Sequence, residues 1–317
     1  MSGKPKLLIT GGLGNLGSWL SEYFSCKYDV HVLSKNIHNK LNCKYKLLQA
    51  DISNLENLKL KLNIEFDFCI HTASYNEHFH ENYSEKAIEV NTIGTRNLIE
   101  VLKDTKIKNF IYLSTFHVYG ASSGLITEDS KLNPKNDYAS THLFAEFYLR
   151  QFLHSHDFKS VIFRLTNSYG APKFINSTKW YLVLNDLAKS AYDNQVISLK
   201  GNGKAVRDLI WMGDVCSVLD HSLNMVSSDI YNLSSGKTYQ MMDLAKKIQV
   251  VYKKRYQKKI EIITSNNDDT KFLELKVDNS KIKKTLNFEF NDNLTEEIDS
   301  IFDLLDKNKH LVQPKSK

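Results

Sequence analysis

Residues 6–24 of this chain read KLLITGGLGNLGSWLSEYF, and the fold is decided there. Lys6–Ile9 is a short apolar run of strand type, and Ser18–Phe24 carries apolar residues at helical spacing. Between them stand Gly11, Gly14 and Gly17, each with its own physical task. Gly11 permits the tight strand-to-helix turn, Gly14 lets a pyrophosphate approach the backbone, and Gly17 lets the helix lie close to the strand. The helix opens near Asn15 and Leu16 with free N–H groups that favour phosphate charge. Glycines also mark ordinary turns, so it is the flanking strand and helix that make this loop a dinucleotide site.

Strand-like and helix-like runs alternate from this stretch onward. Val30–Leu33, Tyr45–Ala50, Phe66–Thr72, Asn109–Ser114 and Ser160–Leu165 read as strands. Leu55–Leu62, Ser84–Asp104 and Tyr138–His154 read as helices between them. That order predicts an α/β chain on a doubly wound parallel sheet, with ligands beyond the carboxyl ends of the strands. Past residue 170 the pattern breaks up. A helix at Trp180–Tyr192, a turn at Gly201 and Gly203, and helices from Asp214, at Met242–Tyr256 and at Leu294–Leu305 predict a smaller α+β part, with one short strand at Lys259–Thr264. The expected division is a dinucleotide-binding part at 1–168 and a substrate-binding part at 169–312. Portions of 205–230 are expected to return to the first part, and 313–317 to fray.

With 317 residues, 42% hydrophobic and 25% charged, the chain has room for one large domain or two coupled ones and the balance of a soluble protein. No run approaches the ~18 apolar residues of a membrane span, and Met1–Lys6 is too polar for a signal peptide. Cys26, Cys43, Cys69 and Cys216 are scattered without metal-ligand or redox spacing, which predicts reduced thiols, a cytoplasmic setting and no metal site. The net charge of +6 is spread along the chain, and its local clusters read as solvated faces rather than a nucleic-acid groove. A mildly positive field suits anionic small molecules.

Further segments follow the glycine loop in a fixed order. They include Asp51-Ile52, His71-Thr72-Ala73, Asn91-Thr92-Ile93-Gly94 and Ser114-Thr115-Phe116-His117-Val118-Tyr119-Gly120. Tyr138 with Ala145-Glu146, Arg164 through Gly170, and Arg207-Asp208-Leu209-Ile210-Trp211 complete the set. Together they resemble the extended short-chain dehydrogenase/reductase family, of the nucleotide-sugar epimerase/dehydrogenase type, over nearly the whole chain. The resemblance implies a Rossmann-type fold, a nicotinamide cofactor and a nucleotide-diphospho-sugar substrate. It also implies a homodimer formed through the helices around Asn91–Lys103 and Tyr138–His154.

The resemblance further implies roles for single residues. Tyr138 is the general acid/base, and Thr115 hydrogen-bonds the same substrate oxygen. Asn167 and Arg207 grip the diphosphate, for which the guanidinium fork is suited; a salt bridge of Arg207 with Asp208 or Asp214 is the competing reading. Asp51 and Ile52 lie at the adenine, unless Asp51 instead caps the following helix. Thr72 and Ala73 leave room for the pyrophosphate and nicotinamide ribose. Asn91 supports the active site or faces solvent.

Three departures from the family pattern narrow the chemistry. The signature lysine four residues after the tyrosine is replaced by His142, one helical turn beyond Tyr138. A histidine with an ordinary pKa of ~6.5 is mostly neutral at pH 7 and lacks the fixed charge that lowers the tyrosine pKa, yet it still hydrogen-bonds the ribose. Dehydratases of this type carry acidic residues directly after the catalytic Thr, whereas Phe116 and His117 stand here. That points away from dehydration and towards simple redox, expected at C4, with His117 either a proton shuttle or a structural histidine. Finally, Ser34 and Lys35 end the second strand without the acid that usually takes the ribose of NAD, so NAD is expected with NADP not excluded. The expected activity is oxidation or reduction of a sugar hydroxyl through a 4-keto sugar. A 4-epimerase with transient oxidation is the near alternative, and a non-catalytic cofactor-binding sensor or scaffold the distant one.

Overall fold

The computed structural model describes residues 3–37, 44–77, 80–156, 159–177, 179–265, 271 and 273–309. Cys43, Thr178 and the tail expected to fray lie outside them. The strands that position the site are β1 (Lys6–Thr10), β2 (Asp29–Ser34), β3 (Lys46–Gln49), β4 (Phe68–His71), β5 (Asn109–Thr115), β6 (Ser160–Leu165), β7 (Asn167–Tyr169), β8 (Val206–Trp211) and β9 (Asp229–Leu233). Seven of them form one parallel sheet in the order β9-β6-β5-β4-β1-β2-β3. The order reverses beside β1, which opens a crevice beyond the carboxyl ends of β1 and β4.

Alternation along the strands builds two cores. Leu7, Ile9, Val32 and Ile70 face α1 (Asn15–Phe24) through Leu20 and Phe24. Leu8, Cys69 and Phe110 face the opposite side, where Leu98, Ala145 and Leu149 close the layer. These last three lie on α3 (Thr95–Leu102) and α4 (Asp137–Ser155), while α2 (Leu55–Lys61) covers the β3 end through Leu58. Fully burying one such side chain is worth about 1.5–3 kcal/mol, so each layer holds its helices firmly.

The structure corrects the sequence reading in two places. The stretch 84–104 is not one α-helix: it runs as a short helix Tyr83–Ala87, a π-helical segment Ile88–Gly94 and then α3. A Cβ on Gly94 would lie 2.7 Å from Ile52, so the wide turn seats directly on the loop after β3. Second, Asp229–Leu233 joins the sheet as its outer strand β9, which the reading missed because Asp229 and Asn232 interrupt its apolar run. α6 (Met212–Ser222) also packs on the first core through Val215, Cys216 and Leu219.

A third core joins α5 (Val183–Asn194), α7 (Met241–Tyr256) and α8 (Leu294–Lys307) around short strands. In α8, Leu294, Ile298, Ile301, Phe302 and Leu305 are buried at helical spacing, which gives this small layer its main apolar face. β7 pairs in parallel with β8, Asn167 beside Leu209, and so brings this part against the carboxyl end of β6.

Candidate active site

Gly11 adopts φ +67°, and a Cβ there would lie 2.7 Å from the Ala73 Cα, so the turn after β1 passes hard against the turn after β4. A Cβ on Gly17 would lie 2.1 Å from the Gly11 carbonyl, which makes glycine obligatory for the helix to sit this close. α1 begins after Gly14 with no side-chain cap, leaving its first N–H groups to whatever occupies the crevice. Here lies a cavity of about 290 Å³ lined by Gly11, Gly14, Asn15, Leu16, Thr72 and Ala73. Its far wall holds Ser74, Ser114, Tyr138 and His142. The Asn15 Oδ1 and Asn76 Oδ1 are buried there without a hydrogen-bond partner. A glycine cradle with open amides and orphaned acceptors fits a dinucleotide.

A second cavity of about 240 Å³ adjoins it and shares Ser114 and Tyr138. Thr115, His117, Asn167, Tyr169 and Asn185 also line it, and among the described residues no Asp or Glu does. Thr115, at the end of β5, accepts a hydrogen bond from the His117 N–H at 3.2 Å. Tyr138 enters from the first turn of α4, capped by Asn136, and its hydroxyl meets both Thr115 and Ser74. Burial pushes the Tyr138 hydroxyl up to about 12, against the pull of those two hydrogen bonds.

His142 lies one turn further along α4, its ring centroid 4.5 Å from that of Tyr138. It is 2% exposed, with Nδ1 2.7 Å from the Tyr112 hydroxyl and Nε2 3.3 Å from the Ser74 hydroxyl. Burial, with a smaller contribution from His117, drops its pKa to about 3. His142 is therefore neutral across the physiological range and supplies none of the charge a lysine would. His117 is exposed, its ring 6.3 Å from Tyr138.

The other sequence-predicted residues fall around these cavities. Asn167 donates to the Asp208 carbonyl at 3.1 Å. Arg207 is exposed and donates to the Val206 carbonyl at 2.8 Å. Neither Asp208 nor Asp214 takes it: Asp208 is held by the Thr166 and Ser234 hydroxyls, and Asp214 by Asn291. Arg207 instead borders a cavity of about 330 Å³ reaching Lys200, Gly201 and Asn202. A fourth cavity joins Arg207 to His117 and Asn167. The carboxyl ends of β2 and β3 are tied together, because Lys35 Nζ lies 2.6 Å from Asp51 Oδ2 while the Asp51 Oδ1 receives Ser53. Ser34 bonds the Asn36 carbonyl, and the helix after Asp51 is capped by Asn54. Ile52 is buried against Gly94.

Asn91 does not line the crevice. Its amide clamps the main chain of Tyr75 on both sides, at 2.6 and 3.1 Å, and reaches the Thr141 hydroxyl at 3.0 Å. It therefore holds the loop that carries Ser74, a task the helix pattern alone did not reveal.

A family sequence model described as the NAD dependent epimerase/dehydratase family matches residues 7–234. The chain belongs to this NAD-dependent epimerase/dehydratase family. Within it, a relative named dTDP-D-glucose 4,6-dehydratase from Dictyostelium discoideum is 34% identical over 283 residues, covering 77% of this chain and 61% of that protein. A UDP-glucuronate 4-epimerase from Thermodesulfobacterium geofontis is 25% identical and covers 89% of this chain and 90% of its own. Among solved structures, a UDP-glucose 4-epimerase from Thermotoga maritima with UDP-glucose superposes with a TM-score of 0.81 at 20% identity, covering 96% of this chain and 99% of the other. That superposition shows the Rossmann-type fold.

Sequence reasoning missed several groups in this family member's site. Lys179, the lysine that lines the first cavity, lies 2.5 Å from Glu77 Oε1 and 3.0 Å from the Tyr181 hydroxyl. Tyr181 in turn donates to the Asn76 carbonyl at 2.8 Å, so the 179–181 turn is fastened to the loop after β4. Ser114 donates to Glu146 at 2.5 Å, and Glu146 is gripped by Arg164 at 2.8 and 3.1 Å, all within the core. Glu146 and Arg164 stood in the quoted motifs, but nothing in their spacing joined them.

Proposed function

We propose that the protein oxidises, and in reverse reduces, the C4 hydroxyl of a nucleotide-diphospho-sugar with NAD. The observation that carries this is the junction of the two cavities, where Thr115 and Tyr138 meet and, among the described residues, no carboxylate lines the substrate side. NAD, when bound, takes the hydride from the sugar carbon. The glycine loop and the first turn of α1 would hold its pyrophosphate, Asn15 and Ser74 line the same cavity, and Asp51 would take its adenine end. With Lys35 paired to Asp51, no free cation stands ready for a 2′-phosphate at that pair, which favours NAD over NADP. Thr115 and Tyr138 bind the reacting oxygen, and Tyr138 exchanges its proton. Asn167 and Arg207 take the diphosphate, leading the base to the cavity at Lys200–Asn202.

Dehydration needs an acid for the leaving hydroxyl and a base for the adjacent C–H. Phe116 is packed into the core and His117 is exposed, so neither position offers a carboxylate. This sets the chain apart from what the name of its dehydratase relative denotes. Epimerisation, with the hydride returned to the other face, is the second reading, favoured by the near full-length match to a 4-epimerase. A homodimer is supported by Phe144 and Phe147, stacked edge to face on α4 yet 57% and 47% exposed. A cytoplasmic setting is supported by the free thiols of Cys26, Cys69 and Cys216. Among the described residues no helix is long and apolar enough to cross a membrane.

The test is to incubate the protein with NAD and dTDP-glucose, UDP-glucose or UDP-glucuronate and follow both cofactor and sugar by NMR. Accumulating NADH with a 4-keto sugar supports the dehydrogenase, and inversion at C4 without net NADH supports the epimerase. Loss of water from the sugar overturns the exclusion of dehydration. NAD bound with every sugar left intact leaves the sensor or scaffold.

A further inference from the structure

Three consecutive residues in the loop after β4 are each fastened from outside that loop. The Asn91 amide, in the π-helical segment, grips the main chain of Tyr75 at 2.6 and 3.1 Å. The Tyr181 hydroxyl donates to the Asn76 carbonyl at 2.8 Å, and Lys179 Nζ lies 2.5 Å from Glu77 Oε1. Lys179 also donates to the Tyr181 oxygen at 3.0 Å, so the two holds from the 179–181 turn brace each other. Of the three side chains, Tyr75 meets His80 and Glu77 meets Lys179. Asn76, at the centre of the clamp, keeps its Oδ1 buried with no hydrogen-bond partner.

A buried acceptor has lost its water, and folded proteins seldom leave one unpaired. With the main chain on either side held in place, this amide cannot swing away to find a donor of its own. Its position shows which donor it suits. Asn76 lines the cofactor cavity and the substrate cavity alike, whereas Asn15, whose Oδ1 is also unpaired, lines the cofactor cavity and not the other. Among the described residues, the other polar side chains that line both are Ser114, Tyr138, Ser168 and Tyr181. Ser114 donates its proton to Glu146, and Tyr181 gives its own to the Asn76 carbonyl. The Ser168 hydroxyl turns freely about its own bond and serves as donor or acceptor. Asn76 is thus the fixed acceptor at the junction.

Hydride transfer brings the sugar C4 against the nicotinamide, and the junction of the two cavities is where they meet. C4 is bonded to two ring carbons. C5 carries the ring oxygen and C6, so C3 is the neighbour that bears a hydroxyl. We propose that Asn76 is a specificity-determining residue that accepts the proton of the C3 hydroxyl, and that the clamp from Asn91, Tyr181 and Lys179 holds it in register with Tyr138. Gripped at C3 by Asn76 and at the C4 oxygen by Tyr138 and Thr115, the ring presents one carbon to the nicotinamide and does not slide to offer another. A sugar without a hydroxyl at C3 leaves the buried acceptor unpaired and is rejected for that reason.

This assignment rests on oxidation at C4, yet the contact itself is measured without turnover. The experiment is titration calorimetry on the NADH-saturated protein, in which a sugar hydroxyl cannot be oxidised, using UDP-glucose, dTDP-glucose and the 3-deoxy analogue of each. The wild type should bind the 3-deoxy analogue of its preferred nucleotide about 10–100-fold more weakly. N76A should bind the pair about equally while keeping the wild-type affinity for NADH, which also verifies that its cavity is folded. Equal binding of the pair by the wild type, or undiminished discrimination in N76A, overturns the proposal. So does an N76A protein that loses NADH affinity and keeps its sugar preference, because Asn76 then serves the nicotinamide carboxamide. The expected discrimination, with neither oxidation nor epimerisation of any sugar by NAD, supports the Asn76 contact and overturns the functional reading alone. NADH binding with neither sugar nucleotide held more tightly than UDP or dTDP overturns both.

Discussion

Replacing His142 with lysine puts a fixed charge beside Tyr138, and the pH profile of the reaction reports its effect. In the wild type, burial holds His142 at about 3 and Tyr138 at about 12, so no charge on His142 helps to ionise the phenol between pH 6 and 9. kcat for sugar oxidation draws on the tyrosinate and should climb about tenfold per pH unit through that window. In His142→Lys the ammonium takes the place of a ring centred 4.5 Å from the Tyr138 ring. A unit charge at about 4 Å and an effective dielectric near 20 is worth about 4 kcal/mol, or about three pK units. Tyr138 then falls from about 12 to about 9. The variant should outpace the wild type by at least about tenfold at pH 7, and its profile should bend towards a plateau near pH 9. The assay is NADH formation at saturating sugar nucleotide from pH 6 to 9, with circular dichroism to verify the fold. A variant no faster than the wild type at pH 7, or a wild-type profile level across the window, would refute the reasoning.

Four other outcomes are expected. E146L leaves Arg164 charged in the core and should cost about 3–5 kcal/mol in urea unfolding, most of it recovered in E146L/R164M; equal stability of all three proteins would contradict the buried pairing. Acidification should destabilise the fold: His71 and His142, both lowered to about 3, lose stability as pH falls below 6.5, about 2 kcal/mol each by pH 5, while Asp208, raised to about 6 by burial, returns about 1.4. The net of roughly 3 kcal/mol between pH 7 and pH 5 is read from urea curves, and identical curves would show that the two imidazoles are not buried neutral. G17A forces a Cβ to within 2.1 Å of the Gly11 carbonyl and should abolish NAD binding by calorimetry. F144E/F147E should run as a monomer in light scattering where the wild type runs as a dimer.

Much of this architecture is legible in the sequence because its signals are local. The apolar run at Lys6–Ile9, the three glycines and the helical spacing after them specify a strand, a turn and a helix within nineteen residues. Thr115 and Tyr138 were found by spacing against a family pattern, and the chain brings them to one hydroxyl-lined junction. The strand β9 was harder, because Asn232 looks like a loop residue until its partners Tyr119 and Glu128 are in view.

The sequence by itself determined the parallel sheet and the glycine-rich turn after β1, and it set Tyr138 and His142 one helical turn apart. Only the tertiary structure decided what surrounds that histidine. An imidazole's charge depends on its surroundings, and here they come from Tyr112 on β5 and Ser74 after β4. The same holds for Glu146 and Arg164, ordinary surface ions by composition that become a buried pair once β6 lies beside α4. Periodicity records which face of an element is buried, but hydrogen bonds between side chains distant in sequence are set by strand register and helix packing, and these exist only in the folded chain.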